Sequence, residues 1–99
     1  MVIKIVTEFL QGTTVRVRAY IEDDDEELVD PTTSVKVDIW DSDGTKQVDN
    51  QDMTKVSTGI YEYYYNTSTS SATGNWRGVV WAVDSSYTSE GSFGFKVRA

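Results

Sequence analysis

The chain has 99 residues, of which 38% are hydrophobic and 25% charged, an ordinary balance for one globular domain. It contains no cysteine and no histidine, which excludes disulfides, thiol chemistry, the Ser-His-Asp triad and the commonest metal ligand. The net charge of −7 disfavours binding to nucleic acid or insertion at an anionic membrane, since both require a basic patch. We therefore predict one non-catalytic domain over residues 1–99, without a cofactor.

The first predicted strand is "VIKIVTEF", near the start of the chain. Its β-branched residues favour an extended conformation. The segment lacks the long apolar run and small-residue cleavage site of a signal peptide. Residues 1–12 are predicted either to pair within their own sheet or to act as an arm exchanged with a neighbouring subunit.

Alternation with a period of two follows in "TTVRVRAYIED" and in "TSVKVDIW". It places Val15 and Val17 on the buried face of one strand, and Val37 and Ile39 on that of another. The charged stretch "EDDDEELVDP" between them is predicted to be a loop. "DSDG" then marks a tight turn into "TKQVDN", as in an antiparallel hairpin.

Three further strands are predicted in "GIYEYYYN", "NWRGVVWAVD" and "SFGFKVRA", and a polar surface loop in "NTSTSSATG". No window of 11 or more residues keeps the apolar spacing of a helix. About seven short antiparallel strands at intervals near ten residues describe an all-β fold of the β-sandwich type.

The acidity is concentrated in residues 22–52, which carry a charge of −10 from twelve acidic residues and two lysines. The clusters "EDDDEE" and "DSDGT" suggest calcium, which takes six to eight oxygen ligands. Neither has the spacing of a helix–loop–helix calcium site, and turn chemistry with a solvated loop explains both. We predict no metal site; the weak candidates are Asp23, Asp24, Asp25, Asp41 and Asp43.

The order of these segments resembles an immunoglobulin-like β-sandwich over most of residues 13–97. An Asp-Pro pair enters one strand, "DSDG" forms a hairpin, a Gly-x-Tyr-x-Tyr segment forms a strand, and a Gly-x-Trp strand ends in Asp. In these motifs the chain is similar to domains of bacterial surface proteins, macroglobulin-type modules and tailed-phage structural proteins. The motifs are architectural, so the resemblance implies a fold more strongly than a task.

The resemblance would place Tyr61 and Trp76 inside the sandwich, and alternation then sorts the remaining aromatic residues. Buried aromatic side chains remove a large apolar area from water and stabilise a small sandwich without disulfides. The predicted core comprises Val15, Val17, Val37, Ile39, Tyr61, Tyr63, Trp76, Val80, Phe93 and Phe95.

With Trp76 inside, the alternate residues of the same strand face outward. Apolar rows on an outer face usually mark an interface. The alternative is that this face is covered by another part of the chain. The predicted partner-binding residues are Trp40, Tyr64, Arg77, Val79, Trp81 and Val83.

Three functions are compatible with these features. The leading one is a structural module that docks onto protein subunits of a larger assembly, either other proteins or further copies of itself. The assembly we expect is a virion, with the chain as a phage head decoration or tail-associated component. The second is an immunoglobulin-like repeat of an extracellular adhesin on a cell surface. The third is a carbohydrate-binding module whose exposed aromatic rings stack on sugars.

Overall fold

A computed structural model of the chain describes residues 1–10, 14–67 and 71–98. It is all-β, with two antiparallel four-stranded sheets stacked as a sandwich, so the predicted fold class is confirmed. No helix long and apolar enough to cross a membrane occurs in the described ranges. The strands are β1 (Val2–Leu10), β2 (Thr14–Glu22), β3 (Ser34–Trp40), β4 (Lys46–Asp52), β5 (Thr54–Ser57), β6 (Ile60–Asn66), β7 (Gly74–Asp84) and β8 (Tyr87–Val97).

The strand that the sequence does not indicate is β5, which makes eight strands rather than about seven. It has four residues, all exposed, so it carries no alternating apolar pattern. It exists because it pairs with β6. The last strand is also longer than expected, because the polar segment that opens β8 continues the ladder with β7.

The strand orders are β1-β2-β6-β5 in the first sheet and β4-β3-β7-β8 in the second. Lettered along the chain, with β4 as an added C′ strand, they read ABED and C′CFG. This arrangement is that of immunoglobulin sandwiches. The architecture is therefore compatible with the immunoglobulin-like fold.

The core lies between the inner rows of the two sheets. Alternate residues of β2, β3 and β7 face inward, and in β2 this gives Val15, Val17, Ala19 and Ile21, all fully buried. Seven of the ten residues predicted for the core are buried, and Tyr63, Phe93 and Phe95 are half-buried and pack against it. The seven are Val15, Val17, Val37, Ile39, Tyr61, Trp76 and Val80.

An aromatic cluster lies between the two sheets in one half of the interior. The Trp76 ring lies between Tyr65 of the opposite sheet, 5.6 Å between ring centroids, and Phe95 of its own sheet, at 5.7 Å. The ring of Phe93 covers Gly78, where an added Cβ would lie only 2.1 Å from the nearest ring carbon. The glycine is therefore required by the close approach of this ring.

The two ends of the sandwich carry different connections. Val2 pairs with Glu22 at the end that bears the connections 23–33 and 85–86. Val97 pairs with Gly74 at the opposite end. The chain therefore enters β1 and leaves β8 at opposite ends of the molecule.

The Asp-Pro pair that precedes β3 lies in the connection between β2 and β3. It ties this connection to the β5–β6 hairpin. Asp30 Oδ1 accepts hydrogen bonds from the Gly59 N–H at 2.8 Å and the Tyr61 hydroxyl at 3.2 Å. Its Oδ2 accepts one from Lys55 Nζ at 2.7 Å. Hydrogen bonds from Lys55, Gly59 and Tyr61 hold the pKa of Asp30 below its ordinary value. One carboxylate thus joins the Asp-Pro and Gly-x-Tyr motifs that the sequence shows separately.

Gly59→Ala is expected to lower the free energy of unfolding by about 3–4 kcal/mol. Gly59 has a φ of +73°, and an added Cβ would lie 2.8 Å from Leu28 Cβ and 2.9 Å from the Ile21 carbonyl oxygen. Left-handed strain and overpacking therefore add together. Denaturant unfolding measures the change.

The matched control is Gly44→Ala, because Gly44 also has a positive φ, of +85°, but an added Cβ there meets nothing within 4 Å. It should cost only the left-handed strain, about 1–2 kcal/mol. Equal losses in the two variants would contradict the close packing at Gly59.

Candidate functional site

The outward rows of β3 and β7 lie side by side in the second sheet. Trp40 is opposite Arg77, Asp38 opposite Val79, and Lys36 opposite Trp81. We call the surface formed by Trp40, Arg77, Val79, Trp81 and Val83 the β3–β7 outer face. The structure thus brings together five of the six residues predicted for partner binding.

The sixth residue, Tyr64, does not belong to this surface. It lies on β6, which pairs with β2 and β5 in the other sheet, so its exposed side chain points away from Trp40 and Trp81. The two sheets present outer faces on opposite sides of the sandwich. Placing Tyr64 in the same patch was therefore wrong, because alternation identifies an outward residue but not its sheet.

Asp38 organises the β3–β7 outer face and was not among the predicted site residues. Its side chain lies on the outer face but is only 9% exposed. Oδ2 accepts a hydrogen bond from Trp81 Nε1 at 2.7 Å, and Oδ1 accepts one from the Asn50 N–H at 2.6 Å. Lys46 Nζ lies 3.3 Å from Oδ1. The carboxylate therefore fixes the Trp81 indole, β4 and β3 to one another.

The Asn50 contact is made at a bulge in β4. The β3–β4 register shifts between Val37 and Ile39, and Asn50 has a positive φ of 53°. A bulge of this kind turns the bulged strand and re-aims its side chains. The Asp38 carboxylate accepts the N–H that the bulge leaves without a partner in the ladder.

Burial on its own would raise the pKa of Asp38. Hydrogen bonds from the Asn50 N–H, the Trp81 indole and the Lys46 ammonium outweigh it and hold the pKa below the ordinary value of 3.8. Each of these partners favours the charged form. Asp38 is therefore an ionised, fully partnered acceptor at neutral pH.

A shallow groove of about 400 Å³ follows the same surface. On the β8 side, Thr88 lies opposite Val83 and Glu90 lies opposite Trp81. The groove is thus lined mostly by polar and charged side chains, with Trp81 and Val83 as its apolar members. It is lined by Ser34, Lys36, Asp38, Lys46, Asp49, Asn50, Trp81, Val83 and Thr88.

Trp40 lies at one end of this surface between two cations. The Arg77 guanidinium carbon is 4.4 Å from the centroid of its ring, and Lys46 Nζ is 5.2 Å from it. Both distances fall within the range of cation–π attraction. The ring is half-buried, and the contacts hold it in a defined orientation.

The outer face of the first sheet carries a charged network that the sequence does not predict. Glu62, 8% exposed, accepts hydrogen bonds from the Arg18 guanidinium, with Nε at 2.6 Å, and from the Tyr64 hydroxyl at 3.1 Å. Arg16 bonds Glu8 at 2.6 Å. Burial raises the pKa of Glu62, but Arg18, Tyr64 and Arg16 together hold it below its ordinary value. The cross-strand pairing of β1, β2 and β6 produces this network, and only the register could have shown it.

The acidic residues of the loops act mainly as local acceptors. Asp41 Oδ1 accepts the N–H groups of Asp43 and Thr45, and Oδ2 accepts the Gln47 amide. The Gln47 hydrogen bond and these backbone donors lower the pKa of Asp41. Asp23 Oδ1 likewise accepts the N–H groups of Asp25 and Glu27. In the described part of the chain, no three acidic residues are grouped so as to hold a metal ion.

Comparison of the chain with known protein families and with curated protein sequences finds no match. The function is therefore inferred from the geometry of the surfaces and from the sequence motifs.

Asp38→Asn is expected to lower the free energy of unfolding at pH 7 by about 2 kcal/mol. The amide has one oxygen where the carboxylate has two, so its NH₂ group would face either the Trp81 or the Asn50 donor, and a buried donor without an acceptor is costly. Because the folded pKa of Asp38 is depressed, its contribution is present above the unfolded pKa near 3.8 and is lost as the pH falls through the folded value. Below pH ~4 the free energy of unfolding should therefore fall less steeply with decreasing pH in the variant than in the wild type. Thermal and urea unfolding between pH 2 and 7 measure both effects.

Asp49→Asn is the matched control. Asp49 also contacts Lys46, at 3.0 Å, but its side chain is 76% exposed, so the change should have little effect at any pH. An Asp38→Asn protein as stable as the Asp49→Asn protein would contradict the structural role of Asp38.

Proposed function

We propose that this chain is a non-catalytic interaction module that docks its β3–β7 outer face onto protein subunits of a larger assembly. The observation that carries the proposal is the outward row Val79, Trp81 and Val83, of which Trp81 and Val83 line the groove and Trp81 is hydrogen-bonded to Asp38. Apolar rows on an outer sheet face favour burial against a partner. Trp and Arg, both present here, are the residue types enriched at the energetic centre of interfaces.

The rigidity of the surface also supports docking. Ordering flexible side chains on binding costs free energy. Here the Trp81 indole is already hydrogen-bonded to Asp38, and the Trp40 ring already lies between Lys46 and Arg77. A partner would meet a surface whose large side chains are fixed before contact.

The state of the carboxylates supports a non-catalytic role. Asp38, Asp41 and Glu62 are buried, and each has its pKa held below the ordinary value by hydrogen-bond donors. A general acid or base requires a pKa near the working pH and a free lone pair or proton. These three groups instead serve as structural acceptors.

A virion is the context we propose, with the chain as a phage head decoration or tail-associated protein. The support is the resemblance of its Asp-Pro, "DSDG", Gly-x-Tyr and Gly-x-Trp motifs to those of tailed-phage structural proteins. Two of these motifs are joined through Asp30, which contacts both Gly59 and Tyr61. A mixed polar and apolar outer face on a rigid sandwich suits a module that decorates a protein lattice.

An extracellular adhesin repeat is the second candidate, and one observation favours it. β1 starts and β8 ends at opposite ends of the sandwich, as in domains joined end to end. A carbohydrate-binding role has less support, because the Trp40 ring is engaged by two cations and the Trp81 N–H by Asp38.

Val79→Lys is expected to reduce the number of copies of the chain in assembled particles by at least about tenfold. The ammonium would be placed at the centre of the β3–β7 outer face, where a docked partner would have to desolvate it. The measurement is quantitative mass spectrometry of particles purified from the source of the chain, assembled with wild-type or variant protein. Thermal unfolding of the isolated variant verifies that it folds.

Val56→Lys is the control for this experiment. Val56 is 52% exposed and lies on β5 at the edge of the other sheet, so the added charge is similar but its position is remote. Wild-type incorporation of the Val79→Lys protein, or the absence of the wild-type chain from particles, would overturn the proposed function.

A further inference from the structure

The edge strand β1 lacks the features that protect the edge strands β4 and β5. Natural edge strands are kept from pairing by shortness, bulges, prolines or inward charges. β5 has four residues, and β4 is interrupted by register shifts. β1 has nine residues, contains neither glycine nor proline, and pairs with β2 at every position from Val2 to Leu10 without a shift.

The backbone groups of β1 that face its free edge can be assigned from the register. Successive residues of a strand direct their N–H and C=O groups to opposite sides. The Ile21 N–H bonds the Gly59 carbonyl on the β6 side, so the even-numbered residues of β2 bond β1. Their partners in β1 are even-numbered as well. The odd-numbered residues Ile3, Ile5, Thr7 and Phe9 therefore direct their backbone donors and acceptors to the free edge.

We propose that β1 pairs antiparallel with β1 of a second copy of this chain, about a two-fold axis through Val6. In this register Ile3 lies opposite Phe9 of the second copy and Ile5 opposite Thr7. These are the residues whose backbone groups are directed outward, so all of them enter the new ladder. The two first sheets then form one continuous eight-stranded sheet. An interface of this kind is isologous, since the same strand contributes both halves.

The side chains are complementary in the same register. Lys4 lies opposite Glu8 of the second copy, and Glu8 opposite its Lys4. Both side chains are largely exposed, at 63% and 53%. They occupy non-hydrogen-bonded pairs, where opposing side chains approach most closely, and opposite charges directly across such a pair attract.

The apolar residues of β1 favour the same pairing. Val6, 51% exposed, meets its own copy on the axis, and Phe9, 46% exposed, meets Ile3 of the second copy. Both side chains would lose contact with water on pairing, which is favourable. The charges and the apolar contacts thus favour the same register.

The strand is also held in position for pairing. The side chains of Ile3 and Ile5 pack over Gly91 of β8, where an added Cβ would lie 3.0 Å from Ile3 Cβ. β1 is therefore fixed between β2 and the inner face of β8. Association then costs little conformational entropy, because the strand is already ordered. β8 is a long edge as well, but Gly91 and Gly94 lie within it, and glycine weakens a strand.

The test uses the full chain and two charge-reversal variants, Lys4→Glu and Glu8→Lys. Each alone places like charges opposite one another at both symmetry-related pairs, so each should remain monomeric where the wild type dimerises, with a Kd weaker by about tenfold or more. An equimolar mixture restores opposite charges at both pairs and should form heterodimers. The charge contacts with Glu22 and Arg16 inside each chain are not restored by mixing. Sedimentation velocity measures association, and native mass spectrometry identifies heterodimers by mass.

Glu90→Lys is the control, because it reverses a charge on the other long edge, β8; the dimer should be unchanged. Thermal unfolding verifies that every variant folds. A wild-type chain that is monomeric at its highest soluble concentration would overturn the proposal, as would a mixture of the two variants that stays monomeric. Loss of the dimer on Glu90→Lys alone would also overturn it and assign the contact to β8. The outcomes for Lys4→Glu and Glu8→Lys do not bear on the β3–β7 outer face, because β1 lies on the other sheet.

Discussion

Contact between the two inner faces holds this sandwich together, because a chain without cysteine has no disulfide between its sheets. The decisive contact is that of Trp76, which spans the interior from β7 to meet Tyr65 of the opposite sheet and Phe95 beside it. Large aromatic side chains supply the apolar area that a small domain otherwise lacks. Once this packing fixes the sheets, each outer face is a rigid surface, and the positions of Asp38 and Glu62 on those faces follow from it.

The acidic residues divide into those that hold the structure and those that remain in solvent. Asp30, Asp38 and Glu62 each accept several hydrogen bonds and connect segments distant in the sequence, whereas Asp41 holds its own turn. Their hydrogen bonds at the periphery supply part of the stability that a larger core would provide. Most of the negative charge in the 23–27 loop is exposed, and its contribution is to keep the net charge away from zero, which favours solubility.

The sequence was sufficient for the fold class and for most of the core, because alternation with a period of two reports directly which side of a strand is buried. It placed Val15 and Val37 correctly for this reason, and the resemblance of the Gly-x-Trp motif placed Trp76 correctly. It was insufficient for β5, whose residues are all exposed, and for Tyr64, since a strand's pattern does not say which sheet it joins. The sequence also could not predict the roles of Asp38 and Glu62. Each carboxylate is buried on an outer face by hydrogen-bond donors from other strands, and only the register shows which donors these are. The virion context and the partner of the β3–β7 outer face stay predictions.

The placement of the chain ends has a mechanical consequence. β1 begins at one end of the sandwich and β8 finishes at the other, so a tension applied between them runs along the strands. Such a load would shear the β1–β2 and β7–β8 ladders, whose nine and eleven residue pairs share the force simultaneously, rather than opening them one bond at a time. The molecule is therefore built to transmit a pull along its length and to yield more easily to one applied across it.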